Sequence, residues 1–199
     1  MKKTLRRFLQ VLLVLLLLLV AGLVLLFTVT TRVTKQTDNY VYELPFKPGA
    51  SFRVVQGYGG LFSHRYAAAI DFAMPEGTPI YAAREGEILG YKDNSNEGGP
   101  WASDKRKANY LMIRHPDGSI GCYWHLQYKG VVVKQGTVQR GQLIGYSGAT
   151  GLVLRPHLHF SVKKRLGYHM DDFVRTRFRT EKGVMELQKG NRYTRPAQP

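Results

Sequence analysis

The chain has 199 residues, with 29 Lys and Arg against 14 Asp and Glu, and a formal net charge of +15 at pH 7. This length suits one domain or at most two small ones, and the single cysteine, Cys122, excludes an intramolecular disulfide. The basic excess favours an anionic partner such as a membrane surface or an acidic cell-wall polymer. No nucleic-acid-binding motif is recognisable, so nucleic acid is not expected as a partner.

Residues 1–32 predict a basic flank followed by a transmembrane signal anchor. Lys2, Lys3, Arg6 and Arg7 precede an uncharged apolar run at residues 11–27. With the flanking apolar residues the segment reaches about 20 residues, enough to span a bilayer and longer than the h-region of most signal peptides. The basic flank predicts a single pass through the inner or plasma membrane, with the rest of the chain on the periplasmic or extracellular side. A cleaved signal peptide is the alternative.

Residues 33–50 read as a polar linker, and the chain beyond them is typical of a β-protein. Short apolar strands are predicted at residues 80–82, 87–89, 110–113 and 130–133, separated by Gly, Pro and Asn or Asp turns. Asp117-Gly118 predicts a hairpin. The pattern predicts an all-β fold with an antiparallel sandwich or barrel-like core. Cys122 lies in one apolar run, which favours a buried structural thiol over a nucleophile.

Residues 94–107 interrupt the strand pattern with a polar insert. The insert reads as a long loop, and long loops in compact domains often form lids or substrate walls. A tolerated insertion without a role is the alternative.

Residues 156–162 alternate between polar and apolar side chains, which is the period of a half-buried strand. His157 and His159 therefore share one face with Ser161, while the apolar residues between them face a core. Neutral imidazole is a common metal ligand and transfers protons near neutral pH. Two histidines on a solvated strand face are the alternative.

Three further residues are candidates for the same chemistry. Asp71 lies in an apolar stretch, where a carboxylate is costly unless it is paired or bound to metal; a turn or capping role is its alternative. His64 follows a Gly-rich turn. His125 lies in a strand-like run, which taken alone favours a core or interface histidine satisfied by hydrogen bonds. His115 reads as an exposed turn residue and His169 lies beyond the core pattern, so neither is a candidate.

Residues 52–162 contain a set of motifs in a fixed order. They are Ser63-His64, Ala69-Ile70-Asp71-Phe72, Glu76-Gly77-Thr78-Pro79-Ile80-Tyr81-Ala82-Ala83 with Gly86, Tyr123-Trp124-His125-Leu126, Val138-x-x-Gly141-Gln142-x-Ile144-Gly145, Gly148-Ala149-Thr150-Gly151 and Pro156-His157-Leu158-His159-Phe160. Each motif is weak alone, but the ordered set resembles the lysostaphin-type, or LytM-like, zinc metallopeptidases, which cut peptide cross-links in bacterial cell walls.

This resemblance implies a site as well as a fold. It implies one Zn²⁺ per chain held by His64, Asp71 and His159, with His125 and His157 as catalytic histidines. The core would be of the duplicated hybrid motif type, with the peptidase domain at residues 51–165 and a C-terminal β extension at 166–199. The implied partners are the peptide stems of peptidoglycan, the membrane through the N-terminal helix, and other cell-wall enzymes.

The sequence departs from the family pattern at two places. Six residues separate His64 from Asp71 where the common form has three, which predicts a longer loop. Arg155 stands before the second histidine motif where the family has small polar residues, and it is expected to narrow the groove or to bind a substrate carboxylate. Downstream, residues 173–179 predict a strand that turns at Lys182-Gly183 into a hairpin, followed by a loosely held tail at residues 191–199.

Two other functions compete with a peptidase. A metal-free scaffold of the same fold would bind the wall or activate partner hydrolases, but such members lack site residues, and all five positions are filled here. A carrier module is the second competitor, because Glu76-Gly77-Thr78-Pro79-Ile80 and residues 138–142 also resemble lipoyl or biotinyl half-motifs. No lysine suited to modification lies between these two stretches.

Overall fold

The computed structural model describes residues 2–30, 34–60, 63–167 and 169–197, and it divides into two compact units, Met1–Arg32 and Val33–Pro199. The first unit is helix α1 (Lys2–Thr30). Within it, Lys3–Leu25 is long and apolar enough to cross a bilayer, and none of that segment is buried in protein. A helix that is apolar on all faces and not buried in protein is typical of a membrane-spanning segment. This agrees with the prediction of a signal anchor and with its alternative, a signal peptide.

The second unit is built almost entirely from strands. Its described strands are β1 (Thr37–Glu43), β2 (Ser51–Gln56), β3 (Ala69–Ala73), β4 (Pro79–Tyr81), β5 (Gly86–Lys92), β6 (Gly98–Gly99), β7 (Tyr110–Arg114), β8 (Ile120–Trp124), β9 (Leu126–Val131), β10 (Thr137–Val138), β11 (Leu143–Ser147), β12 (Gly151–Leu152), β13 (His157–Lys163), β14 (Phe173–Thr180), β15 (Gly183–Met185) and β16 (Arg192–Thr194). Short 3₁₀ helices occupy Ala102–Lys107 and Met170–Asp172.

The largest sheet runs in the order β10-β5-β7-β8-β13-β3-β2-β16, and every neighbouring pair along this path is antiparallel. Outside this path, β14 pairs with β13, and it also pairs with β1 and β15. A smaller sheet has the order β4-β11-β9. The all-β, antiparallel prediction is therefore confirmed. The strands predicted at residues 80–82, 87–89 and 110–113 correspond to β4, β5 and β7, whereas the strand predicted at 130–133 overlaps only the last two residues of β9.

Strand β13 lies in the middle of the large sheet, between β8 and β3. Its apolar side chains Leu158, Phe160 and Val162 are buried in the core, and burying each contributes about 1.5–3 kcal/mol. The alternate residues, including His157 and His159, face the other way. The predicted division of this strand into an apolar face and a histidine face is thus confirmed, and it places the histidines on a rigid element.

The prediction of a linker at residues 33–50 is wrong for most of that segment. Thr37–Glu43 forms β1, which pairs in parallel with β14, and Tyr42, Leu44 and Phe46 are fully buried in the core. These apolar side chains recur every second residue, which is a strand signal. The partner strand lies more than 130 residues away, so the local sequence does not indicate where β1 pairs.

The C-terminal hairpin prediction is confirmed, because β14 and β15 pair with Thr180 opposite Gly183. The prediction of a loosely held tail at residues 191–199 is wrong for its described part. Strand β16 pairs with β2 at the edge of the large sheet, and Tyr193 packs into the core. Arg195 is 2% exposed, and its Nη1 donates to the Phe46 carbonyl at 2.7 Å.

The hairpin at Asp117-Gly118 is confirmed between β7 and β8, and Gly118 takes the positive φ of +84° that favours glycine. The prediction that His115 is exposed is wrong: the side chain is 3% exposed. Its Nδ1–H donates to the Glu85 carbonyl at 2.7 Å, and this hydrogen bond holds the ring in its buried position. Burial lowers the pKa of the His115 imidazole. Cys122 is buried as predicted, and burial raises the pKa of its thiol to about 11.

Candidate active site

The register of the central strands brings two of the predicted site residues together. His159 on β13 lies directly opposite Asp71 on β3, and on its other side it lies opposite Trp124 on β8. His157 is two residues away and projects from the same face. His64 comes from the loop between β2 and β3, and its backbone N–H donates to the Gly60 carbonyl at 3.0 Å.

Three ligand-type atoms of His64, Asp71 and His159 form a nearly equilateral triangle. Asp71 Oδ1 lies 3.1 Å from His64 Nε2 and 3.0 Å from His159 Nδ1, and the two nitrogens are 3.1 Å apart. Four-coordinate zinc with bonds of about 2.0–2.1 Å needs ligand atoms about 3.3 Å apart. The group is therefore of the right size and type to hold a metal ion.

The protonation pattern of the triangle also favours a cation at its centre. His64 Nδ1 lies 3.0 Å from the Gly57 carbonyl, which can only accept, so Nδ1 carries the proton and Nε2 presents a lone pair in the neutral ring. Asp71 Oδ1 is buried, and no donor among the described residues bonds it in hydrogen-bonding geometry. Electron-rich atoms packed this closely away from water are costly unless a cation lies between them.

Asp71 is prepared to act as an anion. The side chain is 5% exposed, and this burial opposes ionisation, but the neighbouring His159 and His64 outweigh it and lower the pKa of the carboxyl. Gln56 Nε2 donates to Asp71 Oδ2 at 3.2 Å and to Ser63 Oγ at 2.7 Å. The sequence does not single out Gln56, whose place follows from the pairing of β2 with β3 opposite Asp71.

His125 lies at the break between β8 and β9 with a φ of +66°, a conformation that is uncommon for residues other than glycine and clusters at functional sites. Its Nδ1–H donates to the Thr150 carbonyl at 2.7 Å, which leaves Nε2 with a lone pair. Burial, with the neighbouring His157 and His159, lowers the pKa of His125 to about 3. The ring is therefore neutral at physiological pH.

Asn109 supports the turn that carries His125, and sequence reasoning missed it. The residue is fully buried, and its Nδ2 donates to the carbonyls of Leu126 and Gln127, each at 3.2 Å, and to the Ser95 carbonyl at 2.7 Å. One amide group thus bonds carbonyls of the insert at residues 94–107 and of the two residues that follow His125. An isolated Asn beside a predicted strand gives no signal of this role.

His157 completes the group of five predicted residues. Its Nδ1–H donates to the Arg155 carbonyl at 2.8 Å, so its Nε2 also carries a lone pair. That Nε2 lies 3.8 Å from Asp71 Oδ1, and the ring centroid is 4.6 Å from that of His125. All five predicted site residues therefore converge, whereas His169 is exposed and lies outside this group.

A cavity of about 400 Å³ opens beside the histidines. Its lining includes His125, His159 and Trp124, and the 3₁₀ helix Ala102–Lys107 contributes Lys105 and Arg106 to its wall. The insert at residues 94–107 is thus an ordered wall of the cleft rather than an irregular loop, tied down by parallel pairing of β6 with β12. Arg155 is exposed and does not line the cavity.

Comparison with known proteins agrees with this site. The chain is 40% identical over 93 residues to peptidoglycan DD-endopeptidase ShyA of Vibrio cholerae, covering 46% of this chain and 19% of that protein. It is 34% identical over 103 residues to the DD-carboxypeptidase/endopeptidase Mpg of Neisseria gonorrhoeae, covering 52% and 21%. The chain thus spans about a fifth of the length of these curated relatives.

Among solved structures, the catalytic domain of lysostaphin from Staphylococcus simulans matches with 28% identity and a TM-score of 0.42, covering 68% of this chain and 87% of that one. The model of peptidase family M23 matches residues 65–171, more than half of the chain. This match includes Asp71, His125, His157 and His159, and it begins one residue after His64. The chain therefore belongs to peptidase family M23.

Proposed function

We propose that this protein is a membrane-anchored zinc metalloendopeptidase that hydrolyses peptide cross-links of bacterial peptidoglycan. The observation that carries the proposal is the triangle formed by His64, Asp71 and His159 beside two further imidazoles with free lone pairs. Family membership supports a peptidase, and relatives named peptidoglycan DD-endopeptidases support the substrate. One zinc ion per chain, bound by these three residues, is the cofactor that we propose.

A zinc ion bound there would lower the pKa of a water molecule and polarise the scissile carbonyl. His125 and His157 are the proposed catalytic residues, because carbonyl acceptors hold their Nδ1–H groups and leave each Nε2 with a free lone pair. One of them accepts a proton from the water molecule that attacks the peptide bond. The resulting imidazolium can then donate a proton to the leaving amine or a hydrogen bond to the developing oxyanion.

The proposed location follows from the first thirty residues. The apolar segment Lys3–Leu25 is long enough to span a bilayer, and the basic residues before it favour a cytoplasmic N-terminus. We propose a single-pass anchor at residues 1–32 and a peptidase domain at residues 51–165 on the outer side of the membrane. The segment at residues 166–199 extends the core with β14, β15 and β16.

A cross-link digestion assay tests the proposal. The full chain in detergent, loaded with zinc, is expected to convert cross-linked muropeptide dimers to monomers, and a chelator should abolish this activity until zinc is restored. His125→Ala and His157→Ala are each expected to lower kcat by about 10²–10⁴-fold while zinc stays bound. The exposed His169→Ala is the matched control.

The assay also separates the proposal from its competitor. If the zinc-loaded wild type leaves every dimer intact, hydrolysis is contradicted. Co-sedimentation with intact wall material would then favour the scaffold that binds the wall or activates partner hydrolases.

A further inference from the structure

One end of the catalytic cleft is strongly cationic. The cavity extends along β13 from His159 past Ser161 to Lys163, and the opposite wall presents Lys105 and Arg106. Among the described residues that line this cavity there is no Asp or Glu. Lys105, Arg106 and Lys163 therefore give the cleft a positive field, and this field favours an anionic group in the substrate.

The charges of Lys105 and Arg106 are not neutralised within the 3₁₀ helix that carries them. Asp104, the acidic residue of that helix, is buried, with Oδ2 accepting from the Trp101 N–H at 3.1 Å and Oδ1 lying 3.2 Å from Lys107 Nζ. Lys107 also pairs with Glu97 at 2.7 Å. In the part of the chain that the structure describes, no carboxylate lies within 4 Å of Lys105 or Arg106. Both side chains are exposed and can turn toward a ligand.

Two groups on the floor of the cleft add to this arrangement. Ser161 is 2% exposed and borders the cavity, and its Oγ, beside the Cys122 thiol on β8, makes no hydrogen bond to an oxygen or nitrogen of the described residues. Lys163 is also buried, with Nζ donating to the Gly167 carbonyl at 2.6 Å. A hydroxyl donor and an ammonium group in the same cavity as two exposed cationic side chains together match the acceptor oxygens of a carboxylate.

We propose that Lys105, Arg106 and Ser161 form a carboxylate-binding subsite that makes the enzyme prefer acidic stem peptides. This inference rests on the proposed function and names the substrate class within it. Residues that share a strand face are about 6.6 Å apart, so His159 and Lys163 are separated by about 13 Å. An extended substrate advances about 3.3 Å per residue, which places the recognised carboxylate about two to four residues from the scissile bond.

Two cationic regions near the cleft are candidates for binding the substrate carboxylate. Arg155, which the sequence offers as a carboxylate ligand, is exposed and does not line the cavity. Arg106 lines the cavity, and a guanidinium group can bind a carboxylate through two parallel hydrogen bonds. We therefore assign substrate discrimination to the insert and not to the segment before β13.

A pair of synthetic cross-linked peptides tests the proposal with the zinc-loaded full chain in detergent. The two peptides are identical except that one side-chain carboxylate, placed two to four residues from the scissile bond, is a carboxamide in the second. The wild type is expected to show at least about tenfold higher kcat/KM for the carboxylate peptide, because hydrogen bonds to charged groups contribute about 1.5–3 kcal/mol. Lys105→Gln/Arg106→Gln should bring this ratio close to one.

Matched variants and a binding assay complete the design. Lys182→Gln/Lys189→Gln removes two exposed charges outside the cleft, and Arg155→Gln removes the competing charge; both are expected to keep the preference. Fluorescence anisotropy with uncleavable versions of the two peptides should give the same ratio in Kd. Weakening of the carboxylate preference by added salt is a further expected signature.

The outcomes distinguish this inference from the proposed function. Equal cleavage of both peptides by the wild type, or a preference that survives in Lys105→Gln/Arg106→Gln, overturns the subsite and leaves the endopeptidase in place. Loss of the preference in Arg155→Gln overturns it as well. If the protein binds the carboxylate peptide preferentially but cleaves neither peptide, the subsite is supported and hydrolysis is contradicted. If it shows neither preferential binding nor cleavage, both the subsite and the endopeptidase are contradicted.

Discussion

Asp71 Oδ1 and His159 Nδ1 lie 3.0 Å apart because their residues occupy directly opposed positions on the antiparallel strands β3 and β13. The apolar neighbours of both residues are buried on the far side of the sheet. Core packing therefore sets the separation of these two ligand atoms. A site built on central strands is held more rigidly than one built on loops, and only His64 depends on a loop for its position.

Gln56 is predicted to control metal affinity without touching the metal. Its Nε2 donates to Asp71 Oδ2 and fixes the orientation of the carboxylate. Gln56→Leu is expected to weaken zinc binding by about 10–100-fold, which is the usual effect of losing a group that orients a ligand. Competition with a chelating indicator measures the affinity. The exposed Gln135→Leu should bind zinc like the wild type, and unchanged affinity in Gln56→Leu would count against this role.

Asn109 is predicted to be important for both stability and activity. Asn109→Leu removes the side-chain donor from the half-buried carbonyls of Ser95 and Gln127 and one of two side-chain donors from the buried Leu126 carbonyl, and each lost partner costs about 1–3 kcal/mol. We expect the free energy of unfolding to fall by about 2–4 kcal/mol in urea titrations and kcat to fall because His125 shifts. Asn96→Leu, at an exposed site in the insert at residues 94–107, is the control. A stable Asn109→Leu protein with full activity would refute this prediction.

His115 is predicted to make stability depend on pH. Burial lowers its pKa below the ordinary value of 6.5, so between these two values the unfolded chain binds more protons than the folded one. The contribution of the neutral, buried His115 to the free energy of unfolding is therefore complete above about pH 6.5 and is lost as the pH falls below that value. Urea midpoints of the metal-free protein should fall less steeply between pH 6.5 and 5 in His115→Gln than in the wild type.

A matched variant isolates this effect from the other histidines. His169→Gln changes an exposed side chain and is expected to keep the steep dependence of the wild type. Parallel pH profiles for His115→Gln and the wild type would show that His115 is not the group responsible.

The sequence predicts the antiparallel fold and all five candidate site residues, because alternation along β13 and the ordered motifs are local signals. The missed elements depend on distant pairing. Strand β1 is fixed by β14 and strand β16 by β2, and neither partner can be identified from the short strands themselves. His115 is buried for the same reason, since the Glu85 carbonyl that accepts its hydrogen bond lies 30 residues earlier in the chain.

Metal content tests the central claim most directly. The full chain, purified in detergent, and His159→Ala are each dialysed against zinc and measured by plasma emission spectrometry, with His169→Ala as control. We expect about one zinc per chain in the wild type and in His169→Ala, and little in His159→Ala, because two of three ligands rarely retain the metal. Absence of zinc from the wild type, or equal zinc in His159→Ala, would contradict a metal centre at His64, Asp71 and His159.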